Sequence, residues 1–305
     1  MNLPGAAPDG VLPVRKSAGM TSHDVVERVR RLLRVRAGHT GTLDPAARGL
    51  LPVALGEATK LTRWLSASDK RYRARVRLGS ATDTLDAAGQ EVARAPVPPL
   101  EETVLRECCA RFVGTIEQVP PMHSAIRVGG KRLYQLARRG VEVERAPRRV
   151  RIERIELVSF AADTFEIDVR CSAGTYIRAL AADMARALGT VGHLAELERT
   201  EAAGFKLEQA VAPDEPEQML RAIEPLERLV RRFRCLEVPR EALLPLARGR
   251  EPRAEELAAL GLAGLDDQPV VLIPPEQAPM LVLGPDPEAG TARLRILRVL
   301  RPERK

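Results

Sequence analysis

One carboxylate stands out by its setting. In the stretch from Gly38 to Lys60, GHTGTLDPAARGLLPVALGEATK, Asp44 precedes Pro45 and is bracketed by Gly38, Gly41 and Gly49. An Asp-Pro step favours a turn, and glycine permits close backbone approach and positive φ. The apolar run Leu50, Leu51, Val53, Ala54 and Leu55 follows at once. It is expected to root the turn in a core, so that a short polar loop presents one carboxylate on a rigid base. Local chemistry alone favours Asp44 as a turn residue that makes an Asx hydrogen bond; the rooted loop is also how a reactive group is held rigidly.

A cation and an aromatic residue raise similar questions. Arg178 falls in the first turn of a helix expected within Cys171–Gly189, where the helix dipole disfavours positive charge. An arginine placed there asks for an anion. Aromatic residues make up only 3% of the chain, and its three tyrosines are Tyr72, Tyr134 and Tyr176. Tyr72 lies at the edge of an apolar strand face, which taken alone describes a core tyrosine with a satisfied hydroxyl. His23, His39, His123 and His193 are scattered, and Cys108, Cys109, Cys171 and Cys235 show no C-x-x-C spacing. No metal site is expected, and the thiols are expected to be free and reduced in a cytoplasmic protein.

Several elements must hold these residues. Val11–Val14 is expected to be a strand. His23–Val35 repeats apolar residues at helical spacing behind a Thr21 or Ser22 cap. KRYRARVRL, residues 70–78, alternates strictly between an apolar and a basic face, as a half-buried strand does. GSATDTLDAAG, residues 79–89, is expected to be a loop rich in side-chain-to-backbone hydrogen bonds, with no catalytic role for Asp83 or Asp86. Glu101–Phe112 is expected to be a helix with Val104, Leu105, Cys108 and Phe112 inward. Residues 150–169 divide into two hairpin-like strands. Tyr176, Ile177, Leu180, Ala181, Met184 and Leu188 line one face of the helix that Gly189 ends. Ala210–Gln218 has the composition of a linker, and Pro225 is expected to interrupt the helix after it. From about Arg234, short apolar runs separated by Pro, Gly and Asp indicate a small β-rich unit.

Composition narrows the function classes. A chain of 305 residues is long enough for a large core and a second small domain. It holds no apolar run long enough to span a membrane, and its first residues lack a signal pattern. The formal net charge is +7. Residues 127–154 alone carry ten Arg or Lys against Glu142, Glu144 and Glu153, and a second cluster runs from Arg293 to Lys305. Charge this concentrated favours a polyanionic partner over a solvated face.

The motifs together resemble one family. GHTGTLDPAARGLLPVALGEATK is similar to the catalytic motif of the TruB family of tRNA pseudouridine synthases. Further matches are Lys16 to Ser22, Asp69-Lys70-Arg71-Tyr72, Thr82-Asp83-Thr84-Leu85-Asp86, Gln118 to Arg127, Gly174 to Arg178 and Leu197 to Phe205. Three positions depart from the pattern: Ser17 replaces a usual proline, His123 a usual aromatic residue and Arg127 a usual lysine. The resemblance is strong over residues 11–233 and weak over 234–305. It implies an α+β pseudouridine synthase core, with a mixed, largely antiparallel sheet flanked by helices, over 1–233. A PUA-like RNA-binding barrel is implied over 234–305.

The resemblance also implies an activity: isomerisation of the T-loop uridine at tRNA position 55, with no cofactor. Asp44 would be the catalyst, Tyr72 a platform for the flipped base and Arg178 the partner of Asp44. His39 would fill the space the base vacates, unless it only bonds backbone. Lys16, Tyr176, Leu197, Arg127, Lys131, Arg132, Arg138 and Arg139 would serve RNA binding, the basic ones largely from a protruding segment at about 124–150. The expected partner is the T-arm of tRNA, bound by a monomer. Two alternatives stand beside this: a catalytically idle tRNA-binding or folding factor on the same fold, and a guide-RNA-dependent relative acting on ribosomal RNA.

Overall fold

The computed structural model describes residues 8–124, 127–128, 130–137, 139–262, 269–275, 279–286 and 290–301. Its main body is a ten-stranded sheet. The order along the sheet is Glu224–Pro225, Gly10–Lys16, Arg48–Leu55, Gly192–Ala202, Lys70–Leu78, Thr164–Cys171, Arg148–Phe160 and Gly114–Gln118, with Ala37–His39 and Phe205–Lys206 pairing at the side. Every pairing is antiparallel except Arg48–Leu55 with Gly192–Ala202, which touch in parallel over two residue pairs. The mixed, largely antiparallel sheet expected for the core is therefore present.

Burial follows the alternation read from residues 70–78. Tyr72, Ala74, Val76 and Leu78 face the core, and Arg73, Arg75 and Arg77 face solvent. The basic face is not free charge, however. Arg71 meets Asp168 at 2.6 Å, Arg73 meets Glu166 at 3.3 Å, Arg75 meets Glu196 at 2.6 Å and Arg77 meets Asp163 at 2.8 Å. Acids on the flanking strands, and Asp163 in the turn before one of them, pair with it, which a single strand's sequence could not reveal.

The helices Ser22–Leu33, Glu102–Arg111 and Ile177–Ala187 cover the inner face. Thr21 caps the first: its hydroxyl accepts from the Asp24 amide, and Asp24 accepts from the Thr21 amide. In the second, Leu105, Cys108 and Cys109 are buried while Val104 is 44% exposed. The expectation of an inward Val104 is corrected, because the contact stripe passes through Cys109 instead. The linker expected at 210–218 is also corrected. Val211 bonds main-chain groups of Pro13 and Arg15, and Pro216–Ala222 is a helix that buries Met219. Pro225 belongs to a two-residue strand pairing with Gly10 and Val11. All four cysteines are free thiols.

The last part of the chain forms a four-stranded sheet: Arg234–Glu237, Val270–Ile273, Met280–Asp286 and Gly290–Leu300. The helices Arg240–Ala247 and Ala254–Ala259, absent from the sequence reading, lie between its first two strands. Alternation splits the strands' side chains. Val270, Leu272, Leu281 and Leu283 pack with the helices' Leu243, Leu246 and Leu257. Val271, Ile273, Met280 and Val282 pack instead with Val11, Leu50, Leu61 and Phe205 of the main body.

A polar latch reinforces that contact. Lys60 Nζ donates to the Val299 carbonyl at 2.9 Å and to Glu57 at 2.7 Å, and Glu57 also accepts from the Arg301 amide at 2.6 Å. Glu57→Gln is expected to cost about 1–3 kcal/mol and to speed amide exchange at Arg301. Urea denaturation and hydrogen exchange measure both.

Candidate active site

Asp44 sits in a loop between the strands Ala37–His39 and Arg48–Leu55. Its carbonyl accepts from the Ala47 amide at 3.1 Å, closing the turn expected from Asp-Pro. The turn is held by groups distant in sequence. Ser22 Oγ accepts from the Leu43 amide at 2.8 Å and donates to the Leu43 carbonyl at 3.0 Å. The Gly19 amide donates to the Pro45 carbonyl at 2.8 Å. Lys16 Nζ donates to the Ala47 carbonyl at 2.6 Å, the Ser17 carbonyl at 3.0 Å and the Pro45 carbonyl at 3.1 Å. With these groups engaged the loop has little freedom, and the Asp44 carboxylate stands on its rim, 39% exposed.

The anion that Arg178 asks for is Asp44. Arg178 Nε lies 3.0 Å from Oδ2 and Nη2 donates to Oδ1 at 3.2 Å, a two-point fork that sets the plane of the carboxylate. The guanidinium is 5% exposed and reaches three further groups: Asp86 Oδ2 at 3.6 Å, the Thr84 carbonyl at 3.1 Å and the His123 carbonyl at 2.8 Å. Gln118 steadies the start of this helix by exchanging hydrogen bonds with the main chain of Tyr176 at 3.0 and 3.3 Å. Two carboxylates offset the unfavourable helix dipole. Because Arg178 uses the carbonyl of residue 123, the histidine at that position leaves the contact intact.

The charges interact. Loss of water around Asp44 raises its pKa above the ordinary carboxylate range; Arg178 opposes that shift and Asp86 adds to it. Burial lowers Lys16 to about 8 and Lys70 to about 8. His39 is half-buried, its Nδ1 accepts from the Gly41 amide at 3.4 Å, and burial together with Arg199 favours its neutral form.

The sequence-derived residues divide. Asp44 and Arg178 meet, and His39 borders the same loop. Tyr72 is 7% exposed and Leu197, paired with Ala74, is 9% exposed. Tyr176 is half-buried at the cap of the Arg178 helix. Lys16 requires correction as an RNA contact. It is fully buried, and its ammonium is spent on the carbonyls under Asp44. Arg139 is exposed. The side chains of Arg127, Lys131 and Arg132, and the whole of Arg138, lie outside the described residues.

Two residues were missed. Asp86, assigned no catalytic role, is 14% exposed and belongs to the Arg178 network through an ion contact. Thr84 and the Ala88 amide orient it at 2.6 and 3.1 Å. Arg199 is 1% exposed and donates to the carbonyls of Leu50, Gly41 and Thr42 at 2.8, 3.0 and 3.5 Å. Strand parity could have found it, since it shares a face with Leu197. Gly49 has its reason here: at φ +106° its backbone passes so close to Arg199 that a Cβ would lie 2.4 Å from the Arg199 oxygen. Among the described residues, no three His, Cys, Asp or Glu are grouped to hold a metal ion, and no helix is long and apolar enough to cross a membrane.

Known proteins share this arrangement of motifs. Residues 30–177 match the model of the TruB family pseudouridylate synthase N-terminal domain. The chain is 52% identical over 209 residues to tRNA pseudouridine synthase B of Bordetella avium, covering 68% of this chain and 86% of the relative. It is 45% identical over 260 residues to tRNA pseudouridine synthase B of Azoarcus sp., covering 83% and 86%. In fold it is similar to a crystal structure of a Cbf5-Nop10-Gar1 complex, with a TM-score of 0.71 at 24% identity, covering 97% of this chain and 86% of that one. The family match and an identity above one half across most of a relative's length establish that the chain belongs to the TruB family of pseudouridylate synthases.

Proposed function

We propose that this protein converts the T-loop uridine at position 55 of tRNA into pseudouridine without a cofactor or a guide RNA. The reaction breaks the C1′–N1 bond and forms C1′–C5 on the same base. N1 gains a proton and C5 loses one, with no net redox change. The observation that carries the reading is the half-buried carboxylate of Asp44, fixed in plane by the buried fork of Arg178. Asp44 is the covalent catalyst, attacking C1′ or C6 or assisting a glycal route. The base leaves its stack before it reacts, Tyr72 offers it an aromatic platform, and His39 fills the gap left in the loop.

Binding follows charge. The segment at about 124–150 grips the T-loop, and Arg139, Arg148 and Arg149 within it are exposed. Residues 234–305 form a separate PUA-like RNA-binding domain behind a catalytic domain of residues 1–233. Its sheet carries a groove of about 590 Å³ lined in part by Arg248, Arg295 and Arg298. The protein acts as a monomer in the cytoplasm.

The test is incubation of the purified protein with an unmodified tRNA transcript alone, followed by mapping of pseudouridine by carbodiimide-dependent primer-extension stops. A stop from position 55 supports the reading. Conversion only with an added guide RNA, or tight binding without conversion, would replace it with one of the two alternatives. Arg148→Gln with Arg149→Gln is expected to weaken tRNA binding and reduce the slope of log affinity against log salt by about 2. Arg145 is omitted from that pair because it is half-buried and holds the Pro120 carbonyl at 3.1 Å. An unchanged slope would remove these arginines from the interface.

A further inference from the structure

Arg199 has no part in the chemistry just described, yet it is the largest fully buried side chain among the described residues. Its guanidinium is spent in two directions. Nε donates to the Leu50 carbonyl and Nη2 to the Gly41 carbonyl, at either end of the loop that carries Asp44. On the neighbouring strand Tyr72 stands directly opposite Arg199, and both side chains are buried. Burial raises the Tyr72 pKa; Arg199 opposes that rise, while Cys171 and Asp44, the other titrating groups acting on the phenol, add to it.

We propose that Arg199 is a positioning residue that acts through Tyr72. It stands opposite the phenol across the strand pair while bonding carbonyls on both sides of Asp44, and so sets where the phenol lies relative to that carboxylate. The nucleoside substrate then meets a carboxylate and a phenol whose spacing is set by one buried cation. This rests on the reading of the site as a uridine isomerase, but its structural half does not depend on turnover. Lysine cannot replace the group. An ammonium lacks the planar fork needed to reach carbonyls on both sides of Asp44 while lying opposite the phenol.

The experiment is a double-mutant cycle of Arg199→Lys and Tyr72→Phe on the full chain, with kcat and KM measured on T-arm RNA. Arg199→Lys is expected to lower kcat about tenfold to a hundredfold with KM within about threefold, and to lower kcat much less when Tyr72→Phe is already present. Equal losses in both backgrounds would overturn the proposal, because Arg199 would then support the loop alone. The second readout is tyrosine 13Cζ NMR. The chain has only three tyrosines, so Tyr→Phe variants assign the resonances. In Arg199→Lys the Tyr72 resonance is expected to move and its pKa to rise, with Tyr176 unchanged; an unmoved Tyr72 resonance contradicts the proposal. An inactive wild type would defeat the functional reading, while the resonance would still decide whether Arg199 governs Tyr72.

Discussion

Replacing Arg178 with methionine is expected to lower kcat roughly a thousandfold, with T-arm affinity changed by no more than about threefold. The side chain is buried and makes a two-point contact with Asp44 at 3.0 and 3.2 Å. Methionine keeps much of the length but removes every donor, so the carboxylate loses both its orientation and its counter-charge. Asp86, 3.6 Å from Arg178, is left facing the same site without the cation the two acids share. The pH profile should move in a defined direction. Asp44 already has a raised pKa that Arg178 restrains. Removing the arginine raises it further, so the acidic limb of kcat against pH shifts to higher pH and activity is lost first on the acid side. Arg178→Lys is expected to restore charge but not the fork, recovering only part of the rate. The measurement is kcat and KM on T-arm RNA across pH, with thermal unfolding to show that each variant folds. A methionine variant with near wild-type kcat would separate Arg178 from catalysis.

Much of this site was legible in the sequence because its signals are local. Asp-Pro among glycines marked the turn, and the apolar run after it marked the strand that roots it. A cation in the first turn of a helix signalled an anion nearby, and the strict alternation of residues 70–78 placed Tyr72 on the inner face. What escaped depends on contacts between distant segments. The resemblance implies an RNA-binding role for Lys16, yet three carbonyls from the loop of Asp44 and its own turn surround its ammonium. Asp86 looked like one more polar residue in a polar loop until the fold brought it to Arg178. The basic face of residues 71–77 was legible as such, but the acids that pair with it come from segments distant in sequence. Val104 and Cys109 are both compatible with helical spacing, and only packing chooses between them. In the last quarter of the chain, Pro, Gly and Asp punctuation announced strands correctly but concealed the two helices between them.

Asp44→Asn is expected to abolish turnover, a loss of about 10⁴-fold or more, without unfolding the chain or releasing the RNA. Asparagine is nearly the same size as aspartate and can still accept from Arg178, so the loop should persist. What disappears is the charge and the nucleophile. The most direct test uses T-arm RNA tritiated at uracil C5, because forming the C1′–C5 bond expels that label to water. The account predicts steady release by wild type and none above background by Asp44→Asn at equal RNA occupancy. Release by the variant at a rate near wild type would contradict the central claim, since Asp44 would then be a turn residue and the catalyst would lie elsewhere.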